Sequence, residues 1–269
     1  MRTSLKSGAL RLAASALHKV GAFDARRLRI LTFHSVQDHP KGKWHTPVAV
    51  FESQMRYLRD AGYRSYTVRE IAGEWPEPAL RREKGVALTF DDGLLNNFTV
   101  VCDILARYGL SATFFISTEN VGVMRNPPVS RGLEYFRRTP MLNWDDVREL
   151  HKRGFEIGSH SHSHDLIAGM PRTKARENIA ASKRVLETEL GAEAVSFAYP
   201  FGHRSAFAPW TGKILGELGF RAGCTQMGGP LSEDHDLLEL PRIGIKGSDS
   251  QEVFRQKVSG SYDFVKWIS

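Results

Sequence analysis

The chain has 269 residues, of which 41% are hydrophobic and 25% charged, and it carries a formal net charge of +7. These proportions belong to a folded globular protein and exclude a disordered chain, a collagen-like chain and a disulfide-stapled mini-protein. The length fits one or two domains and is also within reach of a single α/β barrel.

The charge sits at one end. Residues 1–29 hold Arg2, Lys6, Arg11, Lys19, Arg26, Arg27 and Arg29 against Asp24 alone, while the rest of the chain has 30 basic and 29 acidic residues. A nucleic-acid binder needs a basic stripe across its folded surface. The near-neutral body therefore predicts no nucleic-acid partner. Leu5, Ala9, Leu12, Ala16, Val20 and Phe23 recur at helical spacing, opposite Ser4, Ser7, Arg11, Ser15 and His18. Residues 1–27 are thus predicted as a basic amphipathic helix, separate from a domain over 28–269. Such a helix can lie on an anionic membrane surface or pack on its own domain, and periodicity does not separate the two. The start is too basic and too interrupted for a signal peptide. No apolar run reaches the roughly 18 residues of a membrane span. Cys102 and Cys224 form no CxxC pair and are expected to be reduced. Together these features predict a cytoplasmic protein.

From residue 28 onward, apolar strand-like runs alternate with helix-like stretches. The runs are Leu28–Phe33, Tyr63–Val68, Val86–Phe90, Ala112–Ser117, Phe155–Gly158, Val195–Tyr199, Arg221–Thr225 and Leu240–Ile245. The helical stretches are Phe51–Ala61, Leu95–Tyr108, Asn143–Arg153, Thr173–Leu190, Phe207–Leu218 and Ser248–Val258, most of them stopped by a glycine. Strand–helix alternation implies a parallel sheet with crossovers. Seven or eight units in about 240 residues fit a closed or nearly closed α/β barrel. Residues 119–142 form one long irregular insertion after the fourth strand, which would place it on the C-terminal rim as a lid or substrate-contacting loop.

Three segments carry chemistry. In Leu88-Thr89-Phe90-Asp91-Asp92-Gly93 an apolar strand ends in two carboxylates. Neighbouring strand residues point to opposite faces, so both acids reach one site only if the chain turns, which Gly93 permits. In Ser159-His160-Ser161-His162-Ser163-His164, His160 and His164 share a face if the segment makes a helical turn, and His160 and His162 do so if it is extended. Two imidazoles and one carboxylate make a three-ligand metal set with an open position for water. Phe197-Ala198-Tyr199-Pro200-Phe201-Gly202 is a strand running into a turn, either a groove wall or a turn alone.

In this order the three segments resemble the polysaccharide deacetylase family (NodB-homology, carbohydrate esterase family 4), with its TFDDG, H-[ST]-x-x-H and R-x-P-[YF]-G motifs. The resemblance covers most of residues 28–246, and Trp144 in LNWDDVREL matches the usual lead-in to the histidine strand. It implies a distorted (β/α) barrel of the NodB-homology type that hydrolyses N-acetyl groups on amino sugars. It implies Asp91 as general base, and Asp92, His160 and His164 as ligands of a divalent metal, zinc first. Ser161 would support the histidine loop. Tyr199, Pro200, Phe201, Gly202 and Trp144 would line the sugar groove, with a backbone N–H near Tyr199–Phe201 as oxyanion donor. Two departures stand out. The third motif's arginine falls at Ala198, and Arg242 in Leu240-Pro241-Arg242-Ile243 is the expected replacement. The late leucine-x-histidine motif that supplies the general acid is absent, since no histidine follows His235. The LTFHSV, FAYPFG and LPRI spellings resemble the exopolysaccharide deacetylase subgroup, in which His34 is the first candidate for that acid and His203 the second. For His34 the alternative is a core or turn histidine. The competing readings are a deformylase or deacetylase of a lipid-linked amino sugar, an O-acetyl esterase, and a catalytically impaired carbohydrate-binding homologue.

Overall fold

The computed structural model describes residues 27–38, 42–75, 77, 84–125, 139–261 and 263. The helix expected over residues 1–27 lies outside them apart from Arg27, as do residues 126–138 of the insertion. Each of the eight apolar runs forms a strand. These are β1 (Arg29–Phe33), β2 (Arg64–Tyr66), β3 (Gly85–Phe90), β4 (Thr113–Ile116), β5 (Glu156–Ser159), β6 (Ser196–Ala198), β7 (Ala222–Cys224) and β8 (Arg242–Gly244). All neighbouring strands run parallel, in the order β7-β6-β5-β4-β3-β1-β8, and β2 lies against the first half of β3. Leu240, just ahead of β8, bridges Cys224 of β7, with Leu240 N donating to Gly223 O at 2.7 Å and Thr225 N to Leu240 O at 2.8 Å. That contact brings the seven-stranded path round into a nearly closed barrel, the distorted (β/α) barrel expected.

Strand alternation separates two buried layers. Leu31, Phe33, Val86, Leu88, Phe90, Phe114, Ile116 and Ile157 face outward and pack under the helices. Leu28, Ile30, Ala87, Phe115, Ala198, Ala222 and Cys224 face inward. The surrounding helices are α1 (Val48–Asp60), α2 (Val68–Glu74), α3 (Cys102–Arg107), α4 (Trp144–Lys152), α5 (Arg172–Leu190), α6 (Thr211–Glu217) and α7 (Gln251–Ser259). Four departures from expectation have local causes. The run Tyr63–Val68 ends early because Thr67 and Glu70 form a reciprocal capping box that starts α2. A π-helical turn over Asn97–Val101 precedes α3. The helix expected from Phe207 starts at Thr211, because Pro209 disfavours helical backbone at Ala208 and Phe207 packs its ring on Tyr199 instead. The base of the insertion is ordered, with Met124–Arg125 pairing antiparallel with Thr139–Pro140, and Leu142 N bonding Gly93 O at 2.9 Å. No helix among the described residues is long and apolar enough to cross a membrane.

Candidate active site

The site lies at the C-terminal mouth of the barrel, where inward-facing positions continue past the strand ends. On β3 the inward series is Ala87, Thr89, Asp91. Asp91 N still bonds Phe33 O at 3.1 Å, so its carboxylate keeps the inward direction. The chain then turns through Asp92 (φ 78°) and Gly93 (φ 75°). The turn therefore begins one residue earlier than Gly93 alone would place it. An aspartate in the left-handed region is strained, and here that strain brings two consecutive carboxylates to one place. Both are nearly fully buried.

His160 is the next inward position after Gly158 on β5. Its Nδ1 lies 2.8 Å from the carbonyl oxygen of Ala198. A carbonyl only accepts, so Nδ1 carries the proton and Nε2 presents its lone pair. That Nε2 is 3.6 Å from Asp92 Oδ1 and 4.0 Å from Asp91 Oδ2. Burial pushes the His160 pKa down to about 4, against the pull of Asp91, which keeps the ring in its metal-ligating neutral form. His164 Nε2 is 3.1 Å from Asp92 Oδ1.

The helical turn expected over these histidines is absent. Residues 160–164 carry no helix, and Ser161 (φ 65°) and His164 (φ 61°) are left-handed. Ser161 Oγ accepts from His164 N at 3.0 Å, and Asn178 of α5 holds His162 N at 3.0 Å and Ser163 Oγ at 2.8 Å. His162 turns away to Thr118 Oγ1 at 2.8 Å. The pair that converges is thus His160 and His164, brought together by loop strain rather than by helical periodicity.

Arg242 reaches up the barrel interior from β8. Its guanidinium meets Asp91 through Nη1 and Nη2, at 2.7 and 2.8 Å, while Nε donates to Thr225 O at 2.8 Å and Nη1 also to Thr89 Oγ1 at 3.1 Å. Ala198, at the motif's arginine position, faces the same interior. Burial pulls the Asp91 pKa up, but the Arg242 charge, with His160 and the paired hydrogen bonds, holds it below the usual carboxylate range. Gln226 Nε2 adds a contact to Asp91 Oδ2 at 3.5 Å.

His34 is the inward position following Leu28, Ile30 and Thr32. Burial lowers its pKa, opposed by the nearby charges of Asp92 and Asp91. Its carbonyl accepts from Asn97 Nδ2 at 2.9 Å, a contact that the π-turn before α3 makes available. His203, the second candidate, is exposed, and its Nδ1 is engaged by Ser205 Oγ at 3.0 Å.

The Pro-Phe-Gly turn forms another wall. Phe201 (φ 62°) is 36% exposed and sets its ring 5.1 Å from that of His164. A Cβ on Gly202 would lie 2.7 Å from Gln226 N, so only glycine fits there. Tyr199 corrects the sequence reading. Its side chain is fully buried among the outer helices, and its hydroxyl donates to Leu238 O at 2.8 Å. The cause is alternation, since Ala198 points inward and its neighbour must point outward. Tyr199 N is also committed, to Cys224 O at 3.0 Å. Trp144 opens α4 and packs half-buried against the outer core layer.

Among the described residues, Asp92, His160 and His164 form the group able to hold a cation. Their ligand atoms all lie within 4.8 Å of one another and all three are buried. Among the described residues, His164 Nδ1 is a buried ring nitrogen without a hydrogen-bond partner. Two imidazoles with one carboxylate are a donor set that suits zinc, so the residues fit such an ion.

Three side chains able to hold a cation thus stand beside a guanidinium-held carboxylate at the mouth of a β/α barrel, an arrangement able to support hydrolysis. The polysaccharide deacetylase family model matches residues 80–223, and the chain belongs to that family, whose hydrolases act on N-acetyl amide bonds of sugars. The YxkH protein of Bacillus subtilis is 25% identical over 228 residues, covering 85% of this chain and 75% of its own length. The poly-β-1,6-N-acetyl-D-glucosamine N-deacetylase of Escherichia coli K12 is 24% identical over 85% of this chain and 38% of its own length. Among solved structures, the Streptococcus pyogenes deacetylase PplD has a TM-score of 0.73 at 22% identity, covering 86% of this chain and 98% of that one. IcaB from Ammonifex degensii has a TM-score of 0.71 at 22% identity, covering 88% and 97%.

Proposed function

We propose that this protein is a divalent-metal-dependent hydrolase that removes acetyl groups from the amino sugars of a poly- or oligosaccharide. One observation carries the reading: Asp92, His160 and His164 converge beside a second carboxylate, Asp91, that Arg242 keeps ionised. Asp92 and the two Nε2 atoms would hold the cation, with zinc first. When bound, it supplies Lewis-acid polarisation of the acyl oxygen and acidifies a water at its open position. Asp91 is the general base, because a carboxylate fixed by a bidentate fork stays deprotonated and correctly aimed at the attacking water. The oxyanion donor is the Phe201 N–H. Pro200 has none, Tyr199 N is used in the sheet, and Phe201 N makes no hydrogen bond among the described residues. His34, the inward side chain next to Asp91, is kept neutral by burial. It therefore receives the proton and delivers it to the departing nitrogen, without which C–N cleavage stalls. Phe201 and Gly202 shape the groove. A polymeric substrate is supported by the Escherichia coli relative, whose name specifies poly-β-1,6-N-acetyl-D-glucosamine.

The test is acetate and formate release from β-1,4- and β-1,6-linked N-acetylglucosamine oligomers and from lipid-linked amino sugars, with bound metal measured by elemental analysis. Acetate release that requires metal, and that Asp91→Asn lowers at least ~100-fold without metal loss, is the expected result. Full turnover in Asp91→Asn refutes the assignment of the base. Formate release in place of acetate selects the deformylase reading, and sugar binding without hydrolysis selects the binding homologue.

A further inference from the structure

The loop after β1 carries an aromatic residue that the mechanism has not used. Trp44 lies half-buried at the barrel mouth, with its ring centroid 4.8 Å from that of His34 and the two planes inclined by 31°. Its edge lies close over β8, where a Cβ on Gly244 would sit 3.4 Å from the indole, at van der Waals contact. Leu94, after the Asp-Asp-Gly turn, and Met141, at the end of the insertion, pack against it. The backbone around it is pinned. Ser35 N donates to Trp44 O at 3.2 Å, Gly247 N to Lys43 O at 2.8 Å, and Ser35–Val36 pairs in parallel with His45–Thr46. Lys43 Nζ lies 4.7 Å from the ring centroid. With His34 and Lys43 both against it, the indole is committed to the protein rather than laid open as a platform for a sugar ring.

We propose that Trp44 is a positioning residue for His34. The indole braces the imidazole at the orientation in which it serves the departing amine, and it acts on the reaction only through that ring. A histidine side chain has several staggered χ1 wells and a broad χ2 to choose from, and packing against a neighbour selects among them. A flat, rigid neighbour held by two strands and two loops removes that freedom at the moment of proton transfer. The inference rests on the reading of His34 as proton donor, and the leaving group separates the two claims. An amine must be protonated as it leaves, whereas the phenolate of 4-nitrophenyl acetate leaves without help.

The experiment compares wild type, Trp44→Ala, Trp44→Phe, His34→Ala and the Trp44→Ala/His34→Ala double variant. Each is assayed with metal-loaded protein on the N-acetylglucosamine oligomer that wild type turns over best and on 4-nitrophenyl acetate. Trp44→Ala is expected to lower kcat on the amide about tenfold with KM changed less than twofold, and to leave the aryl ester rate within twofold. Trp44→Phe recovers most of the amide rate. In the His34→Ala background, Trp44→Ala has no further effect, because coupled residues are not additive. Equal loss on amide and ester overturns the proposal in favour of a general packing role. An undiminished penalty in the double variant, or a loss confined to KM, overturns it in favour of direct substrate contact. Full amide activity in His34→Ala removes the reading of His34 itself, whatever Trp44 does. Thermal melts and metal content of each variant identify any loss that is simply unfolding, and the preserved ester rate identifies an intact metal centre.

Discussion

Replacing Arg242 by Gln isolates the element that departs from the family motif. Arg242 is fully buried, and its guanidinium makes two charge-assisted hydrogen bonds to Asp91, at 2.7 and 2.8 Å. Glutamine keeps some volume but removes the charge and the fork, so a buried carboxylate loses its strongest compensation against desolvation. Breaking a buried pair from one side costs about 3–5 kcal/mol. For a chain of this size that corresponds to a fall in Tm of roughly 10 °C. Activity responds differently from stability. Arg242 is what holds the Asp91 pKa down against burial, so its removal raises that pKa. The acid limb of kcat/KM then moves to higher pH, and the rate recovers on the alkaline side. Arg242→Lys keeps a charge but not the planar fork, and falls between the two. The assays are thermal unfolding and acetate release across pH 4–9. An unchanged acid limb with a Tm within 2 °C of wild type refutes the claim that this arginine governs the base.

Three further outcomes follow from the same geometry. Chelation abolishes acetate release and zinc restores it, whereas His164→Ala binds less than a tenth of the metal at equal protein concentration; elemental analysis decides this. Metal-free protein loses stability as pH falls from about 6.5 to about 4, because the unfolded His160 takes up a proton that the buried native ring refuses. The loss is on the order of 3 kcal/mol and is absent in His160→Gln; a melt series at fixed ionic strength that shows the same slope in both proteins refutes it. Gly202→Ala places a Cβ 2.7 Å from Gln226 N at φ 60°, so it costs at least about 1–2 kcal/mol and displaces Phe201; unchanged stability and turnover count against the tight packing of this turn.

The eight strands were legible because each is a short apolar run bounded by turn residues, and parallel strands buried on both faces are spelled that way. Helix ends were legible for a separate reason. Gly109, Gly154, Gly191, Gly219 and Gly260, read as stops, all adopt positive φ, which other residues resist. Helix α2 was missed although Thr67-Val68-Arg69-Glu70 spells a capping box, because the β-branched Val68 extended the apparent strand. Trp44 left no signal. It stands ten residues from His34, and its place depends on its approach to Gly244 and on the bond from Gly247 to neighbouring Lys43, some two hundred residues away.

The site itself obeys a simpler rule than motif spelling. In a barrel the inward direction recurs every second residue, and the first inward residue past each strand end must face the mouth. Counting from the inward cluster, that position is His34 after β1, Asp91 after β3, His160 after β5 and Gln226 after β7. The same count directs Tyr199 outward, against its place in the motif, and would have found Gln226, which no motif singled out. What alternation cannot supply is the second member of each pair. Asp92 and His164 reach the centre only because the backbone enters the left-handed region at Asp92, Ser161 and His164. Asp and His enter that region more readily than most side chains, but it stays uncommon for any residue other than glycine, so three such residues around one site persist because the surroundings impose it. The hydrogen bonds from Leu142 to Gly93 and from His164 to Ser161 supply that restraint. The first carboxylate and the first imidazole therefore follow from sheet geometry. The second of each follows from loop strain that the folded barrel maintains, and the Asp92–His160–His164 cluster forms where the two coincide.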